Sequence, residues 1–310
     1  MSKPKILITT QMMIHEQPRF SKWLIDLGYD PEFKMNAQFL CEEDCLKLLP
    51  IYDGWIAGDD QITESVIKHL TPKLKIISKW GTGIDSINML ACKNNNIQVK
   101  NSPGAFADAV GEMAVAYLLS MTRGILDTNN KVRAGEWPKK QYKTLVGMNI
   151  GFLGLGAIGQ AAALRLENFR SKIYYSDPNV NINKYSKVSI QELFSIADAL
   201  IISASLNPST KKLINDETLD LLKKEIFLVN VGRGSILDEK SLLKAIDRKK
   251  IISAALDVYE QEPLLQNNNL LKKDNIIFGS HNANNTFDAV EAVHLNTINQ
   301  IHLFFNGEKN

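Results

Sequence analysis

Apolar runs of strand length alternate with amphipathic stretches of helical length along most of the chain. In the first hundred residues, the strands predicted from this pattern cover 5–9, 54–57, 74–78 and 98–100. The helices predicted between them cover 19–27, 42–49, 63–69 and 87–93. Strands that alternate with helices are joined by right-handed crossovers, so this part of the chain is predicted to form a mostly parallel sheet.

A second alternation of the same kind begins at Met148. Its predicted strands cover 149–154, 172–176, 199–203, 227–231, 253–257 and 275–278. Its predicted helices cover 158–169, 190–196, 216–222 and 239–247. Two longer helices are predicted at 105–122 and 287–305. The chain is therefore predicted to be an α/β protein with two doubly wound parallel-sheet domains.

The composition excludes several classes of protein. Of 310 residues, 45% are hydrophobic and 23% are charged, which is typical of globular domains and allows two of them. The formal net charge of +2 provides no general attraction to nucleic acid or to an anionic membrane. The longest apolar-rich run, 105–121, is interrupted by Asp108 and Glu112, so no membrane-spanning helix is predicted. We therefore expect no nucleic-acid partner and no membrane partner.

The cysteines and the first residues bear on the cellular compartment. Cys41, Cys45 and Cys92 are odd in number and form no CxxC pair, which is typical of reduced thiols. No metal site is expected. The apolar residues that follow Lys5 are too few for the core of a signal peptide. These observations together indicate a cytoplasmic protein.

A glycine-rich turn is predicted between the first strand and the first helix of the second alternation. Gly154, Gly156 and Gly159 form the pattern GxGxxG. The first glycine permits a tight turn, the second allows a pyrophosphate to approach the backbone, and the third allows close packing of helix on strand. The dipole and N–H groups of the helix N-terminus attract phosphates. The turn is therefore predicted to bind a dinucleotide, the alternative being a similar turn in another kind of α/β protein.

An acidic residue ends the next predicted strand. Asp177 lies 23 positions beyond Gly154, near the ~20 expected of a carboxylate that bonds the ribose hydroxyls. A carboxylate at this point repels a 2′-phosphate. We therefore expect NAD rather than NADP as the cofactor.

Polar residues that packing does not require follow three further strands. They are Arg233, Asp257 with Glu262 beyond it, and His281. In open α/β sheets, ligands bind outside the carboxyl ends of the strands. An arginine offers a planar fork to a carboxylate, and a histidine beside a carboxylate exchanges protons near neutral pH. Together these residues suit hydride transfer at a 2-hydroxy or 2-oxo acid, although each alone also fits a surface arginine, a solvated acid or a capping histidine.

Between about residues 76 and 286, the chain resembles the D-isomer-specific 2-hydroxyacid dehydrogenases, and within them the members similar to phosphoglycerate dehydrogenase. Besides the glycine turn and Asp177, the resemblance rests on His281 and on segments 78–85, 101–104, 207–210, 231–234, 256–258 and 262–263. It implies a Rossmann NAD domain inserted in a flavodoxin-like substrate domain. The substrate domain is expected to comprise 1–101 and 285–310, and the NAD domain 102–284.

The resemblance implies a catalytic set of Arg233, Glu262 and His281. Arg233 holds the substrate carboxylate and polarises the carbonyl, and His281 donates a proton in reduction or accepts one in oxidation. Glu262 pairs with His281 and favours the charged imidazole. The implied activity is hydride transfer between NAD and C2 of a small D-2-hydroxy or 2-oxo acid.

The resemblance also implies the binding residues. The cofactor set is Thr82, Gly154, Gly156, Ala157, Ile158, Gly159, Asp177, Asn207, Val231, Gly232 and Asp257. The substrate set is Lys79, Gly81, Thr82, Gly83, Arg233 and His281. Ala157 and Ile158 offer backbone to the pyrophosphate, Asp257 bonds the nicotinamide amide, and the loop 81–83 cradles the substrate carboxylate. Residues 127–145 resemble the family's dimerisation segment, which implies a homodimer.

Several alternatives stay open at this point. The substrate is expected to be 3-phosphoglycerate or, alternatively, hydroxypyruvate or glyoxylate, and Lys79 either meets a substrate phosphate or caps its loop. Ser280 and Asn282 replace the proline and the apolar residue that flank the histidine in many relatives. Glu262 disfavours oxidation of formate, because formate-type relatives have glutamine there. An NAD(H)-sensing corepressor-type scaffold is the alternative of another class. Since the chain stops at Asn310, no C-terminal regulatory domain is expected.

Overall fold

The computed structural model describes residues 3–34 and 38–307, and the chain divides into two compact units. Unit 1 comprises Met1–Phe106 and Thr286–Asn310, and unit 2 comprises Ala107–Asn285. Unit 2 is therefore inserted in the sequence of unit 1. It begins at residue 107, where 102 is expected from the sequence, and ends at 285, where 284 is expected.

The helices separate the strands of both units. In chain order they are α1 (Gln11–Ile14), α2 (Gln17–Asp26), α3 (Glu42–Leu46), α4 (Glu64–Leu70), α5 (Met89–Asn94), α6 (Ala107–Thr122), α7 (Ile125–Arg133), α8 (Ala157–Glu167), α9 (Ile190–Ile196), α10 (Asp216–Asp220), α11 (Glu239–Asp247) and α12 (Phe287–Asn306). Short polar side chains begin several of them: Thr63, for example, accepts a hydrogen bond from the Val66 N–H at the start of α4. No single described helix is long and apolar enough to cross a membrane, and only α6 and α7 taken together, with a 59° bend, meet that test.

Unit 1 contains one parallel sheet. Its strands are β1 (Lys5–Ile8), β2 (Asp30–Phe33), β3 (Gly54–Ala57), β4 (Ile76–Lys79) and β5 (Gln98–Lys100). Their order is β2-β1-β3-β4-β5, which is the flavodoxin-like order. Every residue of β3 and β4 is buried, which explains their continuous apolar runs in the sequence. The final helix, α12, packs against β3 and β4 and completes this unit.

Unit 2 contains a second parallel sheet. Its strands are β6 (Asn149–Leu153), β7 (Lys172–Ser176), β8 (Ser186–Lys187), β9 (Ala199–Ile202), β10 (Ile226–Asn230), β11 (Ile251–Leu256) and β12 (Ile276–Phe278). Their order is β12-β11-β10-β9-β6-β7-β8, the doubly wound arrangement of dinucleotide-binding folds. The helix α6 packs against α8, β10 and β11. The predicted fold class, with two doubly wound parallel sheets, is confirmed in both units.

Candidate active site

The three predicted catalytic residues lie at one edge of the sheet in unit 2. Arg233 follows β10, Glu262 follows β11, and His281 follows β12. These strands are neighbours in the order β12-β11-β10 and run parallel, so their carboxyl ends share an edge. Arg233 and His281 are 48 positions apart in the chain. The structure nevertheless places both at the same edge, where α/β sheets bind ligands.

His281 and Glu262 form a close pair. The imidazole Nδ1 lies 2.6 Å from Glu262 Oε2, and the two side chains are 27% and 20% exposed. The other carboxylate oxygen, Oε1, accepts a hydrogen bond of 2.9 Å from the Tyr259 N–H. The backbone thus fixes the carboxylate, and the carboxylate orients the imidazole, which is the arrangement required to exchange a proton at a defined place.

The backbone around His281 is unusual and well supported. His281 has a φ of +54°, a left-handed conformation that costs a residue with a side chain about 1–2 kcal/mol. Its N–H donates to the Asp257 carbonyl at 2.7 Å. The next two N–H groups, of Asn282 and Ala283, donate to the Asp257 carboxylate at 3.4 and 3.1 Å. The Asn282 side chain accepts from the Ser280 N–H at 3.4 Å, so the two flanking residues stabilise the same turn.

Asp257, predicted to contact the nicotinamide, is only 2% exposed. Besides the two backbone N–H groups, its carboxylate receives the hydroxyl of Tyr117 at 3.0 Å. Burial, and next the charge of Asp257, raise the pKa of Tyr117 above its ordinary value, so the phenol keeps its proton. Sequence reasoning missed Tyr117, because a tyrosine in an apolar helix has the pattern of an ordinary core residue.

Arg233 lies in a short loop that the end of β10 stabilises. The buried side chain of Asn230 donates to the Arg233 carbonyl and accepts from the Gly232 N–H, both at 3.1 Å. One guanidinium nitrogen donates to the Gly232 carbonyl at 3.1 Å. A Cβ at Gly234 would lie 1.9 Å from the backbone of Tyr259, so only glycine fits there. Asn230 is a second residue that sequence reasoning missed. The one feature of the sequence that points to it is a polar amide at the end of an otherwise apolar strand.

The glycine turn has the geometry that a dinucleotide requires. Gly154 has a φ of +84°, and a Cβ there would lie 2.6 Å from the backbone of Ala204. A Cβ at Gly159 would lie 2.8 Å from the Gly154 carbonyl oxygen and from Ser203 Oγ. At Gly156, by contrast, a Cβ would meet nothing within 4 Å. The first and third glycines are therefore packed against protein while the second faces open space, which fits a pyrophosphate at the start of α8.

Some predicted cofactor residues already have partners within unit 2. Asp177 accepts from the N–H of Leu155 at 2.8 Å and from the N–H groups of Asn179 and Val180 at 2.8 and 3.1 Å. It thereby joins the end of β7 to the glycine turn. Asn207 uses its side-chain oxygen to hold its own turn, accepting from Ser209 and Thr210.

The remaining predicted cofactor residues of unit 2 contribute backbone. Ala157 and Ile158 form the first turn of α8, whose N-terminus no side chain of the described residues caps. The Val231 N–H donates to the Ile202 carbonyl at 3.1 Å. A Cβ at Gly232 would lie 2.9 Å from the Ala204 carbonyl oxygen. These positions therefore present main chain, and little side chain, at the carboxyl edge.

The other predicted substrate residues lie in unit 1, at the end of β4 and in the loop that follows it. Lys79 is 3% exposed, and its Nζ lies 3.0 Å from Asp59 Oδ1 and donates to the Trp80 carbonyl at 3.0 Å. Gly81 has a φ of +130°, and a Cβ there would lie 3.3 Å from Lys79 Nζ. The Thr82 hydroxyl donates to the Ser102 carbonyl at 3.1 Å, and Gly83 is half-buried in the same turn. Thus the structure places Lys79 under the loop 81–83 with a carboxylate partner.

Comparison with known proteins shows extended similarity. Residues 115–283 match the family model described as D-isomer specific 2-hydroxyacid dehydrogenase, NAD binding domain. The chain is 35% identical to a glyoxylate reductase of Thermofilum pendens, over 73% of this chain and 70% of that protein. It is 34% identical to a D-3-phosphoglycerate dehydrogenase of Methanocaldococcus jannaschii, over 88% of this chain but only 53% of that protein.

A solved structure extends the similarity to the whole fold. The NAD complex of a formate dehydrogenase from Staphylococcus aureus superposes with a TM-score of 0.88 at 26% identity, covering 99% of this chain and 97% of that one. In contrast, the chain spans about half the length of the Methanocaldococcus phosphoglycerate dehydrogenase. The glycine turn described above fits the NAD binding domain that the family model describes and the NAD bound in this complex.

Proposed function

Since this chain belongs to the D-isomer specific 2-hydroxyacid dehydrogenases and is an NAD-dependent enzyme, we propose that it reduces a small 2-oxo acid at the edge formed by Arg233, Glu262 and His281. The observation that carries the proposal is the 2.6 Å contact between His281 and Glu262 at the carboxyl end of the sheet. A histidine fixed by a carboxylate, on the same sheet edge as an arginine, suits proton transfer to an anionic oxo acid.

Each residue of this edge has a distinct part in the proposed reaction. Arg233 binds the substrate carboxylate through its planar guanidinium. His281 donates a proton to the carbonyl oxygen as it becomes a hydroxyl, and Glu262 stabilises the charged imidazole before that transfer. The glycine turn and Asp177 hold the dinucleotide through N–H groups and ribose hydroxyls. NADH, when bound, supplies the hydride.

Lys79 bears on the choice between phosphorylated and unphosphorylated substrates. Its ammonium group is buried and already paired with the Asp59 carboxylate at 3.0 Å. The Asp59 side chain is 49% exposed, but the lysine is buried, and losing this partner would leave a buried ammonium without its counter-charge, so this lysine is poorly prepared to receive a phosphate. The pair supports the role of Lys79 in holding the loop 81–83. We therefore favour a short unphosphorylated acid, of the glyoxylate or hydroxypyruvate class, over 3-phosphoglycerate and its oxo form.

A substrate panel tests this proposal. NADH oxidation would be followed with glyoxylate, hydroxypyruvate and phosphohydroxypyruvate under identical conditions. We expect kcat/KM for one of the unphosphorylated acids to exceed that for the phosphorylated acid by roughly tenfold or more. The phosphate would lack a charge-assisted hydrogen bond from Lys79, and such a bond contributes about 1.5–3 kcal/mol. The variant Asp59→Asn, which removes the carboxylate charge beside Lys79, should narrow this preference.

Two outcomes of the panel would contradict the proposal. A clear preference of the wild type for the phosphorylated acid would assign Lys79 to a phosphate. Binding of NADH without turnover of any acid would contradict the reductase and support an NAD(H)-sensing scaffold.

The carboxylate of Asp177 is expected to select NADH over NADPH. Asp177→Ser removes the charge that repels a 2′-phosphate, so the ratio of kcat/KM for NADH to that for NADPH should fall by roughly tenfold. Asp198→Ser is a matched control, because Asp198 also accepts a backbone N–H, from Asn149 at 2.8 Å, but precedes β9 at the other end of the sheet. An unchanged ratio in Asp177→Ser would remove Asp177 from the ribose site.

The segment after α6 supports the proposal of a homodimer. None of the residues of α7 is buried, and Ile125 and Trp137 are 51% and 77% exposed. Exposed apolar side chains grouped on one segment suit packing against a second copy of the chain. We expect light scattering to give about twice the chain mass of 34.7 kDa, and the double variant Val132→Glu, Trp137→Glu to give a monomer. Leu265→Glu, an exposed position elsewhere in unit 2, should remain dimeric, and a wild-type monomer would contradict the proposal.

A further inference from the structure

A buried carboxylate lies directly behind the turn that carries His281. Asp257 is 2% exposed, and a charge so far from water is tolerated only where donors surround it. Two of its donors are the N–H groups of Asn282 and Ala283, the residues that follow His281. The orientation of the Asp257 carboxylate therefore bears on the conformation of His281.

The donor that comes from outside this turn is Tyr117. Its hydroxyl donates to Asp257 Oδ1 at 3.0 Å across 140 positions of the sequence, and its side chain is only 8% exposed. Tyr117 lies on α6, which packs against β10 and β11 and so holds the phenol in place beneath the sheet edge. Because burial and the nearby carboxylate raise the pKa of the phenol, Tyr117 remains a donor at physiological pH.

The glycine at position 279 provides the space for this contact. A Cβ at Gly279 would lie 2.2 Å from Asp257 Oδ1 and 2.2 Å from the Tyr117 hydroxyl. The Gly279 carbonyl accepts the Tyr259 hydroxyl at 2.7 Å, which fixes the chain as it leaves β12. The Tyr117 hydroxyl and the Asp257 carboxylate therefore occupy the space that a side chain at position 279 would fill, two residues before His281.

We propose that Tyr117 is a positioning residue for His281. Its hydroxyl fixes the Asp257 carboxylate, and that carboxylate holds the left-handed turn in which His281 faces Glu262. The inference rests on the proposed role of His281 as the proton donor, but its structural part stands on the contacts of unit 2 alone. It assigns a function to a helix residue whose hydroxyl bonds Asp257.

The variant Tyr117→Phe removes only the hydroxyl and tests the proposal in two ways. In the cofactor-free protein, amide hydrogen exchange at residues 281–283 should accelerate by roughly tenfold, because these N–H groups depend on Asp257. In the enzyme with NADH and the best acid of the panel, kcat should fall by roughly tenfold with a much smaller change in the KM for NADH. The fold as a whole should persist, which far-UV circular dichroism checks.

Tyr52→Phe is the matched control. Tyr52 is 2% exposed and its hydroxyl bonds a carboxylate, that of Glu32, but it belongs to unit 1. This variant should leave exchange at 281–283 and kcat as in the wild type. Unchanged exchange in Tyr117→Phe would overturn the proposal, and so would an equal acceleration in Tyr52→Phe, since that indicates a general loss of stability.

A double-mutant cycle with Asp257→Asn shows whether Tyr117 acts through Asp257. If it does, the double variant should exchange at 281–283 about as fast as Asp257→Asn alone, whereas additive effects would overturn the proposed route. If the wild type reduces no acid of the panel, the proposed function fails while the exchange measurements still decide the positioning role. The two failures are thereby distinguishable.

Discussion

Replacing His281 by alanine is expected to lower kcat by roughly 10²-fold or more while the Kd for NADH stays within about twofold of the wild type. The imidazole is the proposed proton donor, and the Glu262 carboxylate holds its Nδ1 at 2.6 Å. Stopped-flow measurement of NADH oxidation and fluorescence titration of NADH would give the two quantities separately.

A second histidine serves as the control for this prediction. His302 bonds the Tyr29 hydroxyl at 3.1 Å and lies on α12 of unit 1, so His302→Ala should keep kcat near the wild-type value. A His281→Ala variant with near-native kcat would eliminate His281 as the proton donor. A variant that loses NADH binding as well would indicate a collapsed turn instead of a missing acid.

Replacing Arg233 by alanine is expected to reduce kcat/KM for the 2-oxo acid by roughly 10²-fold or more. Truncating one partner of a charge pair leaves the substrate carboxylate without its bidentate donor, so most of the effect should appear in KM for the acid. The loop itself should persist, because Asn230 bonds it through the backbone of Gly232 and Arg233. Steady-state kinetics at saturating NADH measure this effect.

Two comparisons make the Arg233 prediction specific. Arg233→Lys retains the charge without the planar fork, so it should recover only part of the lost kcat/KM. Arg248→Ala removes an exposed arginine of unit 2 that lies 3.8 Å from Asp220, and it should have little effect. Equal losses in Arg233→Ala and Arg248→Ala would point to general electrostatics and contradict a substrate contact.

Most strands could be predicted from the sequence, including the edge strand β5, but the polar edge strand β2 could not. The predictions 54–57, 98–100 and 172–176 coincide with β3, β5 and β7. The strand β2 was not predicted, because its residues Asp30, Pro31 and Glu32 all disfavour strands. It forms because β1 offers a pairing edge, which is information from the tertiary structure.

The site shows the same division between local and tertiary information. The glycine turn is local, and its three glycines have the geometry that their spacing predicts. The contacts of Lys79 with Asp59 and of Tyr117 with Asp257 join residues 20 and 140 positions apart. No spacing rule connects such pairs. The sequence therefore left Lys79 with two interpretations, and it gave Tyr117 no role beyond the core.

The return of α12 to unit 1 has a consequence for the order in which the protein is made. Val293, Thr297 and Ile301 of α12 are buried, and Ile301 reaches within 3.4 Å of where a Cβ at Gly54 would lie. A ribosome synthesises this helix only after every residue of unit 2 has been added. The chain of unit 2 is thus complete before that of unit 1, although the first segment of unit 1 precedes it in the sequence.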